Sequence, residues 1–336
     1  MARPNVRLSS SSELRSVSET VLVGGEAVVS WNDGHFARVR AKHGVPSEFL
    51  SKFDFGTLRL FGGKGGNLMA FTEDRRYLVK ELTKADHLSM LDLAPTIVDR
   101  LVQGDSLLIP LFLHFRRLNG TSYLAMRNVF PATRGLVWHK KYDLKGNRDD
   151  KMLEEDGDEI VEVHKRCFAV STCWYGCDVI PCLTTASRKR YLLGKSHAFE
   201  TGFVMTAEAA SRVVGMVHGD ADMLSAAGLM DYSLMLGVVR QPESAPVPPA
   251  DGLNQFVVSY GGWTYIYYMG IIDFLQTWTT SKKVAMLLKL PFAPKPLSTV
   301  PPAQYAHQFA SSLERKFKGE ASVIGEATYL GVSVFG

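Results

Sequence analysis

Cysteine is scarce in this chain: four residues in 336, all between Cys167 and Cys182, too few for the dense disulfide framework of a small secreted domain. Long apolar runs are missing as well. No uncharged stretch reaches the roughly 18 residues that span a bilayer, and the most apolar one, around Leu229 to Val239, is interrupted by Asp231. The N-terminal segment has no apolar core of signal-peptide length, and its Glu13 and Glu19 argue against a mitochondrial presequence. Ala2 stands where N-myristoylation needs Gly. A large charge excess is also absent. Lys and Arg number 38 against 34 Asp and Glu, a balance of +4 with a pI near 8.7, far from the charge block of a nucleic-acid coat protein. The expectation is a soluble cytoplasmic protein with no nucleic-acid partner. At 46% hydrophobic and 21% charged residues, the composition excludes disorder and low complexity.

What is present is a mixture of strand and helix signals without an internal repeat. The Ser-rich start reads as a loose tail. Phe36 and Val39 with Gly44 as a stop predict a short helix between His35 and Gly44, and Pro46 and Ser47 open a turn carrying Phe49, Leu50 and Phe53. Asn67 to Phe71 and Arg76 to Leu82 read as strands joined by a polar turn, and Leu107 to Phe115 and Thr121 to Phe130 as two more around Asn119-Gly120. Asp86 to Gln103 reads as a helix broken near Pro95. In the second half, Ala210, Val213, Val217, Ala221 and Leu224 line one face of a helix from Ala207 to about Leu224. Ser233 to Val239 and Trp263 to Asp273 read as strands separated by a Pro-rich loop, and Tyr305, Phe309, Leu313 and Phe317 define a last helix after Pro301-Pro302. Antiparallel strands mixed with helices point to an α+β fold in two lobes.

Four features carry chemistry. Gly62, Gly63, Lys64, Gly65 and Gly66 directly precede the first predicted hairpin. Glycines beside strands let backbone N–H groups approach phosphates, although a plain flexible turn has the same composition. Lys80, in the run RYLVKEL, shares a strand face with Leu78. It is either a snorkelling surface lysine or an ammonium aimed at phosphates beneath the glycine-rich turn. Asp231 in GLMDYSLMLGVV and Asp273 in YMGIIDFLQ are carboxylates in apolar surroundings, which need a cation or donors. Either alone could be a helix or turn cap. A glycine-rich turn, a strand lysine and two later aspartates in this order are the parts of kinase-type phosphoryl transfer. The protein-kinase tags H-R-D and D-F-G are missing.

Three segments, YDLKGN at Tyr142 to Asn147, LMDYSLMLGV at Leu229 to Val238 and GIIDFLQ at Gly270 to Gln276, strongly resemble the phosphatidylinositol phosphate kinases. That family carries Y-D-L-K-G-S, M-D-Y-S-L-L-V-G and an I-I-D or L-I-D metal site in the same order. YLVKEL, AMRNVF at Ala125 to Phe130 and the closing STVPPAQYAHQF extend the resemblance from about residue 25 to about 318.

The resemblance implies a two-lobed fold, distantly protein-kinase-like, with antiparallel sheets and packed helices. It divides the chain into a tail at 1–24, a first lobe at 25–130, a second lobe at 131–320 with a poorly matching Cys-containing insert at about 152–198, and a tail at 321–336. It implies ATP and Mg2+ as cofactors. Lys80 and the turn Gly62 to Gly66 would hold the ATP phosphates, Asn128 and Val129 would lie at the adenine hinge, Asp231 would be the catalytic aspartate and Asp273 the Mg2+ ligand. Lys145 and Lys151 would meet the lipid headgroup phosphate. Lys151 stands where the family has Arg and Asn147 where it has Ser, so charge is kept while the planar fork of a guanidinium is lost.

Lys282, Lys283, Lys289 and Lys295, interleaved with Leu287, Leu288, Leu290 and Phe292, occupy the place of the family's membrane-facing activation loop. Lysines there attract anionic lipid at about 1 kcal/mol each. A solvated basic loop is the other reading. Cys167, Cys173, Cys177 and Cys182 with His164 could ligate a metal but contain no C-x-x-C pair, and an ordinary insertion loop is expected. The expected activity is a 1-phosphatidylinositol-4-phosphate 5-kinase at membrane surfaces. The alternatives are a 5-phosphate 4-kinase and a non-catalytic phosphoinositide-binding scaffold. Related enzymes are often homodimers, which leaves that state open.

Overall fold

The computed structural model describes residues 18–60, 67–131, 136–162, 186–278 and 299–317. Among these residues the chain is α+β, with two wholly antiparallel sheets and five α-helices. The first sheet has seven strands in the order β1-β2-β6-β7-β5-β4-β3. These are β1 (Ser18–Val23), β2 (Glu26–Trp31), β3 (Arg59–Leu60), β4 (Leu68–Phe71), β5 (Tyr77–Leu82), β6 (Leu111–Arg116) and β7 (Ser122–Arg127). Residues 18–23, read from sequence as the end of a loose tail, therefore form an edge strand. The signal for it is Gly24-Gly25, both at positive φ, a two-residue connection suited to the twist of a hairpin.

Two helices pack with this sheet, α1 (Asp33–Lys42) and α2 (Lys84–Gln103). Thr83 caps α2 by accepting from the Asp86 N–H. The helix does not break at Pro95 as expected. Pro95 leaves the Leu91 carbonyl without its helical donor, and the Asn32 side-chain amide donates to that carbonyl instead, at 3.3 Å. Leu91, Ala94, Ile97 and Val98 on the same helix are buried, so packing holds the turn that proline weakens.

The second sheet has six strands in the order β10-β9-β8-β11-β13-β12: β8 (Lys140–Leu144), β9 (Lys151–Glu155), β10 (Asp158–Glu159), β11 (Ser233–Pro242), β12 (Gln255–Tyr260) and β13 (Trp263–Ile272). Strand β12 was not expected. It forms a hairpin with β13 across Gly261-Gly262, again both at positive φ. Strand β9 and helix α3 (Ala186–Glu200) fall within the stretch expected as a poorly matching insert. Two further helices complete the fold, α4 (Ala207–Ala226) and α5 (Pro302–Lys316). The anticipated stripe of α4 is buried, and Tyr305, Phe309, Leu313 and Phe317 of the α5 segment are fully enclosed. One core cluster includes residues of α2, α4, α5, β11 and β13.

The first-half chain joins the second sheet directly. Leu108 forms a parallel bridge with Ile271, the Ile109 N–H donates to the Ile271 carbonyl at 3.0 Å, and the Ile271 N–H donates to Leu107 at 2.6 Å. A second tie is the fully buried Asp220 carboxylate of α4. It accepts from Arg100 Nε at 2.7 Å, Ser106 Oγ at 2.8 Å and the Leu107 N–H at 2.7 Å. No helix among the described residues is long and apolar enough to cross a membrane.

Candidate active site

Strand register brings the predicted acidic residues to one end of the second sheet. Ser233 of β11 faces Ile272 of β13, so Asp231, just before one strand, and Asp273, just after the other, leave the ladder together. Both adopt left-handed backbone, φ 65° and 59°, a conformation that Asp tolerates better than most residues but that costs energy and recurs at functional sites. On the other side of β11, Leu144 of β8 faces Leu234, which places Lys145 at the same sheet end.

Two ion pairs result. Lys145 Nζ donates to Asp231 Oδ1 at 2.5 Å and to the Asp231 carbonyl at 3.0 Å. Lys80 of β5, in the first sheet, donates through Nζ to Asp273 Oδ1. The Asp273 side chain keeps 54% of its surface exposed, so a carboxylate with open coordination faces solvent beside the lysine. Burial alone would lower the Lys145 ammonium, but Asp231, Asp143 and Asp149 outweigh it and raise the group above ordinary lysine. Lys145 is therefore a firmly held cation.

Lys151, expected at a headgroup phosphate, lies 3.4 Å from Glu162 Oε2 and 3.8 Å from Asp143 Oδ2. Lys145 and Lys151 thus share a neighbourhood containing Asp143, with the two lysines balancing its carboxylates. Asn128 fastens the segment after β7. Its N–H donates to the Arg76 carbonyl and its Nδ2 to the Arg75 carbonyl, both at 2.9 Å, and its Oδ1 accepts from the Phe130 N–H at 3.2 Å. Val129 is nearly enclosed and faces Gly270 of β13, where an added Cβ would come within 3.3 Å of Val129 Cγ2. At Gly237 of β11 an added Cβ would lie 2.5 Å from Trp138 and 2.7 Å from Phe130. The missing side chains let aromatic and aliphatic groups close over this face of the second sheet.

Gly62, Gly63, Lys64, Gly65 and Gly66 lie outside the described residues, as do Lys282, Lys283, Lys289, Lys295 and the cysteine cluster with His164. Two buried acids, one tying α4 to the first-half chain and one gathering the backbone at Lys145, were not singled out in the sequence. Asp220 had a readable signal, because it stands on the apolar face of α4 between Val217 and Leu224. Asp150, fully buried beside Lys145, had none, since Asp149 and Asp150 are indistinguishable by pattern.

A single metal ion on protein side chains alone is not what the described residues offer, for no group of three or more His, Cys, Asp or Glu side chains is gathered among them. Magnesium, however, is commonly held by one or two carboxylates together with water and substrate phosphates. Asp273 suits that arrangement.

An α+β chain that sets two lysine–aspartate pairs at a sheet end has the parts of a phosphotransferase site. The sequence profile described as Phosphatidylinositol-4-phosphate 5-Kinase matches residues 59–259 and 259–316, and the chain belongs to this family. It is 24% identical over 294 residues to phosphatidylinositol 4-phosphate 5-kinase 6 of Arabidopsis thaliana, covering 77% of this chain and 41% of that protein. It is 25% identical to phosphatidylinositol 5-phosphate 4-kinase type-2 gamma of Danio rerio, covering 76% and 68%, and 26% identical to 1-phosphatidylinositol 3-phosphate 5-kinase of Mus musculus, covering 76% and 11%. The chain thus spans about two-fifths of the Arabidopsis relative and a smaller part of the mouse one.

Proposed function

We propose that this chain is a phosphoinositide kinase that transfers the γ-phosphate of ATP to a ring hydroxyl of a phosphatidylinositol monophosphate. The observation that carries the reading is the convergence of Lys80–Asp273 and Lys145–Asp231 at one end of the second sheet, in a chain of this family. In the two-lobed, distantly kinase-like arrangement, Lys80 and the turn from Gly62 to Gly66 hold the triphosphate, and Asn128 and Val129 border the adenine. Asp231 accepts the proton of the attacking hydroxyl as its oxygen bonds to the γ-phosphorus, the bond to the β-phosphate oxygen breaks and ADP leaves. Asp273 would hold Mg2+, which supplies neutralising charge to the phosphates. Much of the rate enhancement comes from positioning and charge stabilisation.

Lys145 lies on the hydroxyl's acceptor, Lys151 lies beside Asp143 in the same neighbourhood, and both attract the phosphate already on the ring. Lys282, Lys283 and Lys289 meet the anionic membrane to which the protein binds peripherally. The preferred reaction is 5-phosphorylation of the 4-phosphate, in line with the Arabidopsis relative's name. The Danio rerio relative's name supports 4-phosphorylation of the 5-phosphate as the second reading. Labelled ATP with vesicles carrying each monophosphate isomer, followed by positional analysis of the product, decides between them. No turnover on any isomer together with no Mg-ATP-dependent thermal stabilisation would leave the scaffold reading.

A further inference from the structure

The loop between β8 and β9 carries Lys145, and its backbone is organised around one buried carboxylate. Asp150 Oδ1 accepts from three successive N–H groups, Lys145 at 2.7 Å, Gly146 at 2.8 Å and Asn147 at 3.3 Å. Successive N–H groups converging in this way form an anion-binding nest, here filled by the chain's own side chain. The Asp150 N–H returns a bond to the Asn147 carbonyl at 3.0 Å, closing the loop on itself.

The other oxygen, Oδ2, is buried with no hydrogen-bond partner and lies 3.6 Å from Lys316 Nζ at the end of α5. Lys316 is itself buried and donates to the carbonyls of Ala198 at 2.6 Å, Phe199 at 2.7 Å and Thr201 at 3.4 Å. Burial raises the Asp150 carboxyl and lowers the Lys316 ammonium, each opposed by the charge of the other. Gly146, at φ 72°, packs so closely on α5 that a Cβ there would lie 2.8 Å from Phe309 Cα. The loop is held on one side by α5 and on the other by Asp150.

We propose that Asp150 is a positioning residue for phosphoryl transfer: anchored against Lys316, its carboxylate gathers the N–H groups of Lys145, Gly146 and Asn147 and so aims the Lys145 ammonium at Asp231. The proposal rests on the kinase reading for its catalytic consequence, while the placement of Lys145 does not. A flexible lysine stem needs a fixed backbone origin if its ammonium is to stay on one carboxylate. Without the nest anion, three adjacent N–H groups, those of Gly146 and Asn147 buried, lose their acceptor, and the loop must rearrange to satisfy them.

The test compares the full chain with Asp150→Ala and Asp150→Asn. The first readout is independent of activity: the rate at which an amine-reactive acylating reagent modifies Lys145, measured by mass spectrometry against Lys42 of α1, which is held by the Leu101 and Gly104 carbonyls away from this loop. Asp150→Ala should raise Lys145 modification several-fold at unchanged Lys42 modification. Asp150→Asn, whose amide oxygen can still accept the three N–H bonds, should stay near the parent. The second readout is lipid phosphorylation, corrected for folded fraction. Here kcat should fall by about 10²-fold in Asp150→Ala with KM for ATP little changed, and recover in large part in Asp150→Asn. Unchanged Lys145 modification in the Ala variant, or an Asn variant that recovers nothing, would overturn the proposal. If Asp150→Ala does not fold, the Asn variant carries the test, and loss of Lys145 protection there would also overturn it. A parent chain with no lipid phosphorylation at all would count against the kinase reading alone, because the modification readout still reports the aim of Lys145.

Discussion

Ser233 stands directly opposite Ile272 across the β11–β13 ladder, and this register brings Asp231 and Asp273 to the same sheet end although 42 positions separate them in the chain. A one-residue slip would send the side chains of either strand to the opposite face. Leu234, Leu236, Met269 and Ile271 are all buried, which makes such a slip costly. The hydrophobic core therefore fixes the alignment of the two acids.

Asp231→Asn keeps the shape of the side chain but removes its ability to take a proton. Lipid phosphorylation is expected to fall by about 10²–10⁴-fold, while Mg-ATP should still raise the melting temperature. Steady-state assays and thermal shifts check both, and ordinary turnover in this variant would defeat the assignment. Lys80→Met should show the complementary result, loss of the Mg-ATP thermal shift.

Asp220 joins α2, the Leu107 backbone and α4 through three hydrogen bonds while fully buried. Removing one partner of such a group leaves the others unmatched, so Asp220→Ala should destabilise the chain by about 3–5 kcal/mol. Urea unfolding gives the number. A change below 1 kcal/mol would mean that the tie is not what holds these segments.

Gly237→Ala drives a methyl group toward the Trp138 and Phe130 rings, 2.5 and 2.7 Å from the new Cβ. Overpacking of this kind costs about 1–3 kcal/mol. Because the same rings cover the face of the second sheet beside Val129, ATP affinity should weaken as well, which isothermal titration would register.

Three histidines set an acid limit. Burial, with Lys42 and Arg127 nearby, lowers His43 to about 4, and burial with Lys140 lowers His197 to about 4. Burial also lowers His114. The unfolded chain takes up these protons near pH 6.5, the folded chain only near 4 for His43 and His197. Their contribution is complete above pH 6.5, declines as the pH falls, and levels off below about 4. Asp150 and Asp220 shift the opposite way, so single variants isolate the histidine share. His197→Gln should flatten the decline in urea midpoint between pH 7 and pH 5; an unchanged slope would contradict the assignment.

Much of this was legible in the chain by itself, for a physical reason. Helices α4 and α5 follow from apolar spacing because which face a helix buries is written in residues three and four apart. Lys80, Asp231 and Asp273 stood out because an isolated charge in an apolar run demands a partner. What the chain alone misjudged was local structure decided elsewhere. Proline at position 95 does not end α2 because Asn32, from a distant loop, takes over the carbonyl it strands. Strands β1 and β12 exist because sheets accept them as neighbours, although Gly24-Gly25 and Gly261-Gly262 marked their turns. Only the tertiary structure decided which lysine meets which aspartate, because those pairs depend on strand register and on two sheets brought together through Leu108 and Asp220. Charges find their partners through space, and no spacing along the chain records that distance.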